Sequence, residues 1–383
     1  MDIVTHIWNA GSFLLGYLVP FLFVLTIVVF VHELGHFLVG RWCGVDVKTF
    51  SIGFGRELFG FNDRHGTRWR FALIPLGGYV KFSGDADATS SGVDNPEFQQ
   101  MTPEQRARTF PAQSIGERAA IVAAGPIANF ILAILIFAGT VYTFGRPVLA
   151  PRVEQVVAGS AAERAGLRSG DLVLEINGNK IRGFSDMQRE VSVRANETLS
   201  IVVERAGSAL TIPVTPDLVE TSSALGKQRI GVIGVQASRR PEDWSVQHFT
   251  FLESVKTGFT ETWFVVDRTY DYLSKLLSGR ESTDQLSGPI RIAQVSGMVA
   301  SNGGVLGLIN LAAILSVSIG LMNLLPVPML DGGHLMFYAL EALRGRPLSE
   351  RAQEIGFRVG LGLVLMLMLF VTWNDLVHVR SLL

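Results

Sequence analysis

The chain has 383 residues, 48% of them hydrophobic, and a formal net charge of −1; its mean hydropathy is +0.33. That is too apolar for an ordinary soluble enzyme and fits a polytopic membrane protein carrying a soluble insert. With no basic excess nothing points to nucleic acid, and the single cysteine, Cys43, excludes an intrachain disulfide framework.

The first predicted element is a membrane helix over about 13–39. Phe13 to Phe30 contains no charged residue, a length that spans a bilayer core. No Lys or Arg precedes the segment and no small-residue cleavage site follows it, so it does not read as a removable signal peptide. Inside it lies His32-Glu33-Leu34-Gly35-His36. Four residues apart on a helix, His32 and His36 share one face. Two neutral imidazoles at that spacing can hold one Zn²⁺, and Glu33 can act on water beside the metal. A Glu and two His at membrane depth are costly without partners, which marks them as functional. Cys43 reads as a small apolar residue at the helix end.

Residues 45–82 read as short strands at Ser51–Gly55, Trp69–Pro75 and Gly77–Phe82, and residues 83–105 as a polar loop. A second span covers about 117–144. In it Gly125 and Asn129, four apart, would let another helix approach and hydrogen-bond, or would contact substrate. Residues 150–236 read as a soluble α+β domain. Its strands are predicted near 152–156, 172–176, 199–203 and 210–214, its helices at 161–167 and 184–193, and its tightest turn at Asn177-Gly178. Arg229–Val232 could supply a last strand. Residues 237–305 mix aromatics with charges and read as amphipathic helices on the membrane surface.

A third span, about 306–327, runs into Asn323-Leu-Leu-Pro326-Val-Pro328-Met-Leu330-Asp331-Gly332. Two prolines must break the helix there. A broken helix beside a carboxylate is tolerated where it lines a cavity or meets other protein, which makes Asp331 the candidate third ligand. His334 reads as a neighbouring group rather than a fourth ligand. Residues 335–356 read as a loop, and a fourth span covers about 357–378. The loop after the first span carries Arg41, Lys48, Arg56, Arg64, Arg68, Arg70 and Lys81, and the loop before the fourth carries Arg344, Arg346 and Arg351. The positive-inside rule makes both loops cytoplasmic and both termini external, which brings His32, His36 and Asp331 to similar depth near the cytoplasmic face.

The pairing of H-E-x-G-H in a first membrane helix with N-x-x-P-x-P-x-L-D-G in a later one resembles the site-2 protease family of intramembrane zinc metalloproteases, over essentially the whole chain. The resemblance implies Zn²⁺ held by His32, His36 and Asp331, Glu33 as general base, and Asn323 in contact with substrate. It also implies that Gly77, Gly78, Tyr79, Val80, Lys81 and Phe82 belong to a membrane-associated β-hairpin or sheet beside the active site. Gly125 and Asn129 match a G-x-x-x-N-like element of the family. Ala165–Asp171, with the strand and turn that follow, resembles a PDZ domain, a fold that binds peptide termini by strand addition. One such unit is present here, against two in some relatives. The expected fold is thus a polytopic α-helical membrane protein of about four transmembrane helices, with a β-hairpin and one inserted PDZ-like α+β domain. The expected substrates are single-pass transmembrane proteins, of the anti-sigma-factor or signalling type, cut in the bacterial inner membrane after a first cut by another protease. A catalytically dead PDZ-bearing scaffold, or a membrane zinc hydrolase of a non-peptide substrate, are the alternatives.

Overall fold

A computed structural model of the chain describes residues 14–84, 101–223, 226–238, 240–278 and 288–382. Helix α1 (Val19–Trp42) follows one π-helical turn at Leu14–Leu18. Pro20 lies in its first turn, where no backbone donor is needed, and Cys43 is its C-cap. Strands β1 (Val47–Asn62) and β2 (Arg68–Phe82) come next. A short helix α2 (Pro103–Ala107) precedes the long α3 (Ile115–Phe144). At the start of α3, Ser114 and Glu117 cap each other's backbone N–H groups. After the strands and short helices of an inserted unit come α6 (Phe251–Leu277), α7 (Pro289–Asn323), α8 (Asp331–Arg344) and α9 (Glu350–Leu382), the inserted unit itself holding α4 (Ala161–Ala165) and α5 (Phe184–Ser192). Leu15–Trp42, Ile115–Phe144, Pro289–Asn323 and Arg351–Leu376 are each long and apolar enough to cross a membrane. The chain is a polytopic α-helical membrane protein with β-sheet regions.

Several sequence expectations need correction. The third long helix starts at Pro289 rather than near 306, with Gly304 (φ 56°, ψ −150°) kinking it. Its polar first half, 289–303, masked the continuity. The described residues of the stretch expected as surface helices include a 3-10 turn, a strand, the helix α6 and the start of α7. Residues 335–344, expected in a loop, belong to α8, whose Gly345 ends it in the left-handed region. Asp331 opens that helix instead of ending a span. The strands expected at 69–75 and 77–82 are one continuous β2, because Pro75 and Gly77 are accommodated as irregularities of pairing. Of the polar loop at 83–105, residues 85–100 lie outside the described residues.

The described parts of 1–138, 255–271 and 282–383 form one compact unit. Small residues set its helix contacts. A Cβ on Gly35 would stand 2.8 Å from Ala128 Cβ and overlap the Ala124 carbonyl, so α1 and α3 touch backbone to backbone. Val24 and Val28 of α1 pack with Leu308 and Ala312 of α7. Ala133 of α3 meets Ala313 and Val317 of α7. Ser316 Oγ donates to the Asn129 carbonyl at 2.9 Å. The β1–β2 sheet is anchored by Phe50, fully buried and stacked on Trp69 at 4.2 Å, with Phe37 of α1 edge-on to both rings. Residues 49–52 have partners on both sides, at 68–71 and at 78–81, which leaves Gly78–Phe82 at the outer edge of this small sheet. Away from that anchor, Phe54, Leu58, Phe59, Leu73, Ile74 and Leu76 are exposed. At the far end of α9, the buried Asp375 carboxylate accepts the backbone N–H groups of Gly288, Ile290 and Arg291 at 3.0–3.1 Å, capping α7.

The second unit comprises the described parts of 139–254 and 272–281. Strands β3 (Arg146–Leu149) and β4 (Val153–Val156) open it. Its main sheet, in the order β6-β5-β7-β8, uses β5 (Leu172–Ile176), β6 (Asn179–Lys180), β7 (Leu199–Arg205) and β8 (Ser208–Val214). Alternating inward residues, Val173, Ile176, Leu199, Ile201, Val203, Ile212 and Val214, join Ala161 and Ala162 of α4 and Met187 and Val191 of α5 in one core. Strand β10 (Gly226–Val232), the expected last strand, pairs with β9 (Asp217–Ser223), whereas β11 (Val235–Ala237) is the strand that returns to β4. Strand β12 (Trp244–Gln247) pairs with β3, so the chain enters and leaves the unit side by side. Burial pushes the Asp171 carboxyl up, but two bonds from Arg205 at 2.7 Å and one from the Arg168 amide outweigh it and hold the group below its ordinary value.

Candidate metal centre

The centre is built on one turn of α1. His32 and His36 stack edge to face, with ring centroids 4.9 Å apart and Nε2 atoms 3.3 Å apart. Asp331 reaches them from the first turn of α8: Oδ2 lies 3.2 Å from His32 Nε2 and Oδ1 3.6 Å from His36 Nε2. Among the described residues these three form the one group of His, Cys, Asp or Glu side chains whose ligand atoms all fall within 4.8 Å. Tetrahedral zinc with bonds of about 2.0–2.1 Å sets its ligand atoms about 3.3 Å apart, so the spacing suits that ion. Asp331 Oδ2 is buried and accepts no hydrogen bond. Beside two imidazole nitrogens, such an orphaned oxygen is what a bound cation would satisfy.

The loop that aims Asp331 follows from its sequence. Pro326 and Pro328 cannot continue α7, and Met329 turns the chain at φ 134°, a costly angle for a side-chain-bearing residue. Gly332 and Gly333 then press against the carbonyls of Leu324 and Val327, where no Cβ fits, so α8 starts hard against its own loop. The Pro328 carbonyl is met from α9 by Gly360, equally without room for a side chain.

Helix α3 lies behind the imidazoles. His36 Nδ1 donates to the Ile121 carbonyl at 2.9 Å, and Asn129, fully buried, stands 3.3 Å from His32 Nδ1. Gly125 between them leaves the space the two rings occupy. Glu33 is 9% exposed. The Val80 backbone N–H donates to its carboxylate, and an added Cβ on Gly78 would sit 2.9 Å from its Cγ. The edge strand therefore lies directly beside Glu33. Farther along β2, Tyr79 stacks on Phe54 at 6.2 Å, Gly77 adopts φ 132°, and Lys81 and Phe82 pair with Thr49 and Val47. Asn323 is the last residue of α7, half-buried. His334 rests against Tyr338 and Phe357.

The model of peptidase family M50 matches residues 20–367. The chain belongs to peptidase family M50. Among its relatives, a protein of Agrobacterium fabrum is 50% identical over 371 residues, covering 97% of this chain and 98% of its own length. Another, of Rhizobium meliloti, is 52% identical over 364 residues, covering 94% and 97%. Both names carry the words zinc metalloprotease. Metalloprotease MmpA of Caulobacter vibrioides is 42% identical over 381 residues, covering 94% and 95%. This M50 member is thus an integral membrane zinc metalloendopeptidase, and the cluster of two histidines and an aspartate is the place where its donors suit the ion.

Two contributors were not legible beforehand. The Ile121 carbonyl and the Val80 amide are backbone groups, and no residue type announces them. Asn129 was legible as a polar residue four after a glycine, though not its position against His32.

Proposed function

We propose that this M50 peptidase hydrolyses a peptide bond within the transmembrane segment of another membrane protein. The observation that carries the reading is the buried His32–His36–Asp331 cluster with Glu33 and a strand edge beside it, on helices long enough to cross a membrane. In this reading His32, His36 and Asp331 hold Zn²⁺. The ion supplies the Lewis acidity that makes water nucleophilic near neutral pH and offsets charge on the scissile carbonyl oxygen. Glu33 takes the proton from the attacking water and returns it to the leaving amide nitrogen. The Val80 amide keeps the Glu33 carboxylate pointed at the reacting atoms.

A transmembrane helix hides its scissile amide, since each backbone group is bonded within the helix. Hydrolysis needs an extended segment, and each freed amide costs several kcal/mol in a low-dielectric site without a new partner. The edge Gly77–Phe82 supplies partners by strand addition, with Asn323 as a further candidate contact; Gly125 and Asn129 face the imidazoles instead. The exposed apolar residues of the hairpin favour its dipping into lipid. Charge bias supports a cytoplasmic-side active site in the bacterial inner membrane, with both termini and the inserted unit outside.

The experiment uses the purified enzyme and a synthetic transmembrane peptide, with and without a zinc chelator. Chelation should stop cleavage, and added zinc should restore it. Peptides N-methylated at successive amides around the scissile bond should lose cleavage at alternate positions, the signature of strand pairing. Peptide left intact with zinc present would leave a scaffold or a non-peptide hydrolase, and cleavage indifferent to N-methylation would remove the strand clamp.

The inserted unit reads as a PDZ-like domain that admits trimmed substrates, single-pass anti-sigma or signalling proteins among them, or binds their new termini. Its groove between α5 and β11 is lined by Phe184, Gln188, Val235, Gln236 and Trp244. Since β3 and β12 pair at its base, residues 152–236 can be replaced by a short linker. The deletion should keep zinc binding and allow cleavage of substrates that still carry a bulky outer domain. An unchanged requirement for trimming would end the filter reading.

A further inference from the structure

Helix α3 presents Ile121, Gly125 and Asn129 at four-residue intervals, one face directed at both imidazoles. The two histidines are not served alike. His36 already has an acceptor on its Nδ1, the Ile121 carbonyl at 2.9 Å. His32 Nδ1 faces the side-chain nitrogen of Asn129 at 3.3 Å, while Asn129 Oδ1 is buried and has no hydrogen-bond partner. An imidazole that offers Nε2 to a metal carries its proton on Nδ1 and needs an acceptor there. A half-turn of the Asn129 amide, which leaves its shape unchanged, gives His32 that acceptor and satisfies the orphaned oxygen together.

We propose that Asn129 is the positioning residue of His32: its Oδ1 accepts the His32 Nδ1–H, fixing the tautomer and ring plane that aim Nε2 at the metal. The inference rests on His32 being a zinc ligand. It assigns Asn129 to the metal rather than to substrate. Helix α7 holds the residue in place, with Ser316 Oγ on its carbonyl at 2.9 Å and Gly320 so close that a Cβ there would lie 3.3 Å from Asn129 Cβ. The side chain cannot retreat from His32 without parting α3 from α7. One face of α3 thus orients both histidines, by a main-chain carbonyl for one and a side-chain amide for the other.

The test is zinc affinity by chelator competition, together with the visible spectrum of the cobalt-substituted protein, on the full chain in detergent. Asn129→Leu keeps the bulk and removes the acceptor. It should weaken zinc binding by about 10- to 100-fold and shift the cobalt bands. Asn129→Asp keeps an acceptor and should stay close to wild type in both. Gly139→Ala, on the same helix with open space around it, should leave both unchanged. If leucine prevents folding, Asn129→Ala makes the same comparison with aspartate. Wild-type affinity and spectrum in the leucine or alanine variant would overturn the proposal, as would an aspartate variant that loses as much as leucine. His32→Ala is the reference: if it too binds zinc as wild type does, the ligand assignment itself has failed.

Discussion

Glu33→Gln should bind zinc like wild type and cleave about 100- to 10,000-fold more slowly. The amide has the size of the carboxylate, still accepts the Val80 N–H, and leaves the His32–His36–Asp331 cluster untouched. What it lacks is the capacity to take a proton from water. Metal analysis and a cleavage assay on one preparation give both numbers. The reverse pattern, zinc lost with Glu33→Gln, would make Glu33 part of the metal site. Wild-type turnover would remove it from the reaction.

Gly125→Ala should be nearly as damaging by a different route. One methyl group there would overlap His36 Nε2 and come within 2.6 Å of His36 Cε1 and 2.9 Å of His32 Cε1. His36 cannot swing aside without leaving the Ile121 carbonyl, and α3 cannot back away without opening its contact with α1 at Gly35. The expected result is low zinc occupancy at limiting metal and a cleavage rate down by about 100-fold or more. Gly139, also on α3 but with open space around it, is the control: alanine there should change neither quantity. Full zinc occupancy in Gly125→Ala would mean that the helices part more easily than their packing implies.

Much of this candidate centre could be read before the fold was known, because what brings its side chains together lies in residue types at fixed spacing. His32, Glu33 and His36 follow from one helical turn, and Asp331 from the prolines that end an apolar run. Four spans were legible from hydropathy, but their limits were not. The polar half of α7 looked like a surface helix, since no local pattern tells a kinked extension from a separate element. Continuous β2 was hidden behind Pro75 and Gly77, which usually end strands. The closing strand of the inserted unit was misassigned from Val235–Ala237 to Arg229–Val232, because pairing partners are set by long-range register rather than by composition. Least legible were main-chain groups such as the Ile121 carbonyl.

The cap that Asp375 places on α7 has a mechanical consequence. From Gly288 the chain runs along α7, passes through the proline loop and on along α8, then comes back along α9 to Asp375, whose carboxylate grips the point of departure. Partway round, Gly360 leans on Pro328. Asp331 of the His32–His36–Asp331 cluster therefore hangs inside a closed clasp rather than on a free strap between two spans. Fastening both ends of so long a stretch removes many of the arrangements in which Asp331 would drift from the histidines. A carboxylate at the opposite end of the helices thus helps to keep this one in register, without touching the chemistry.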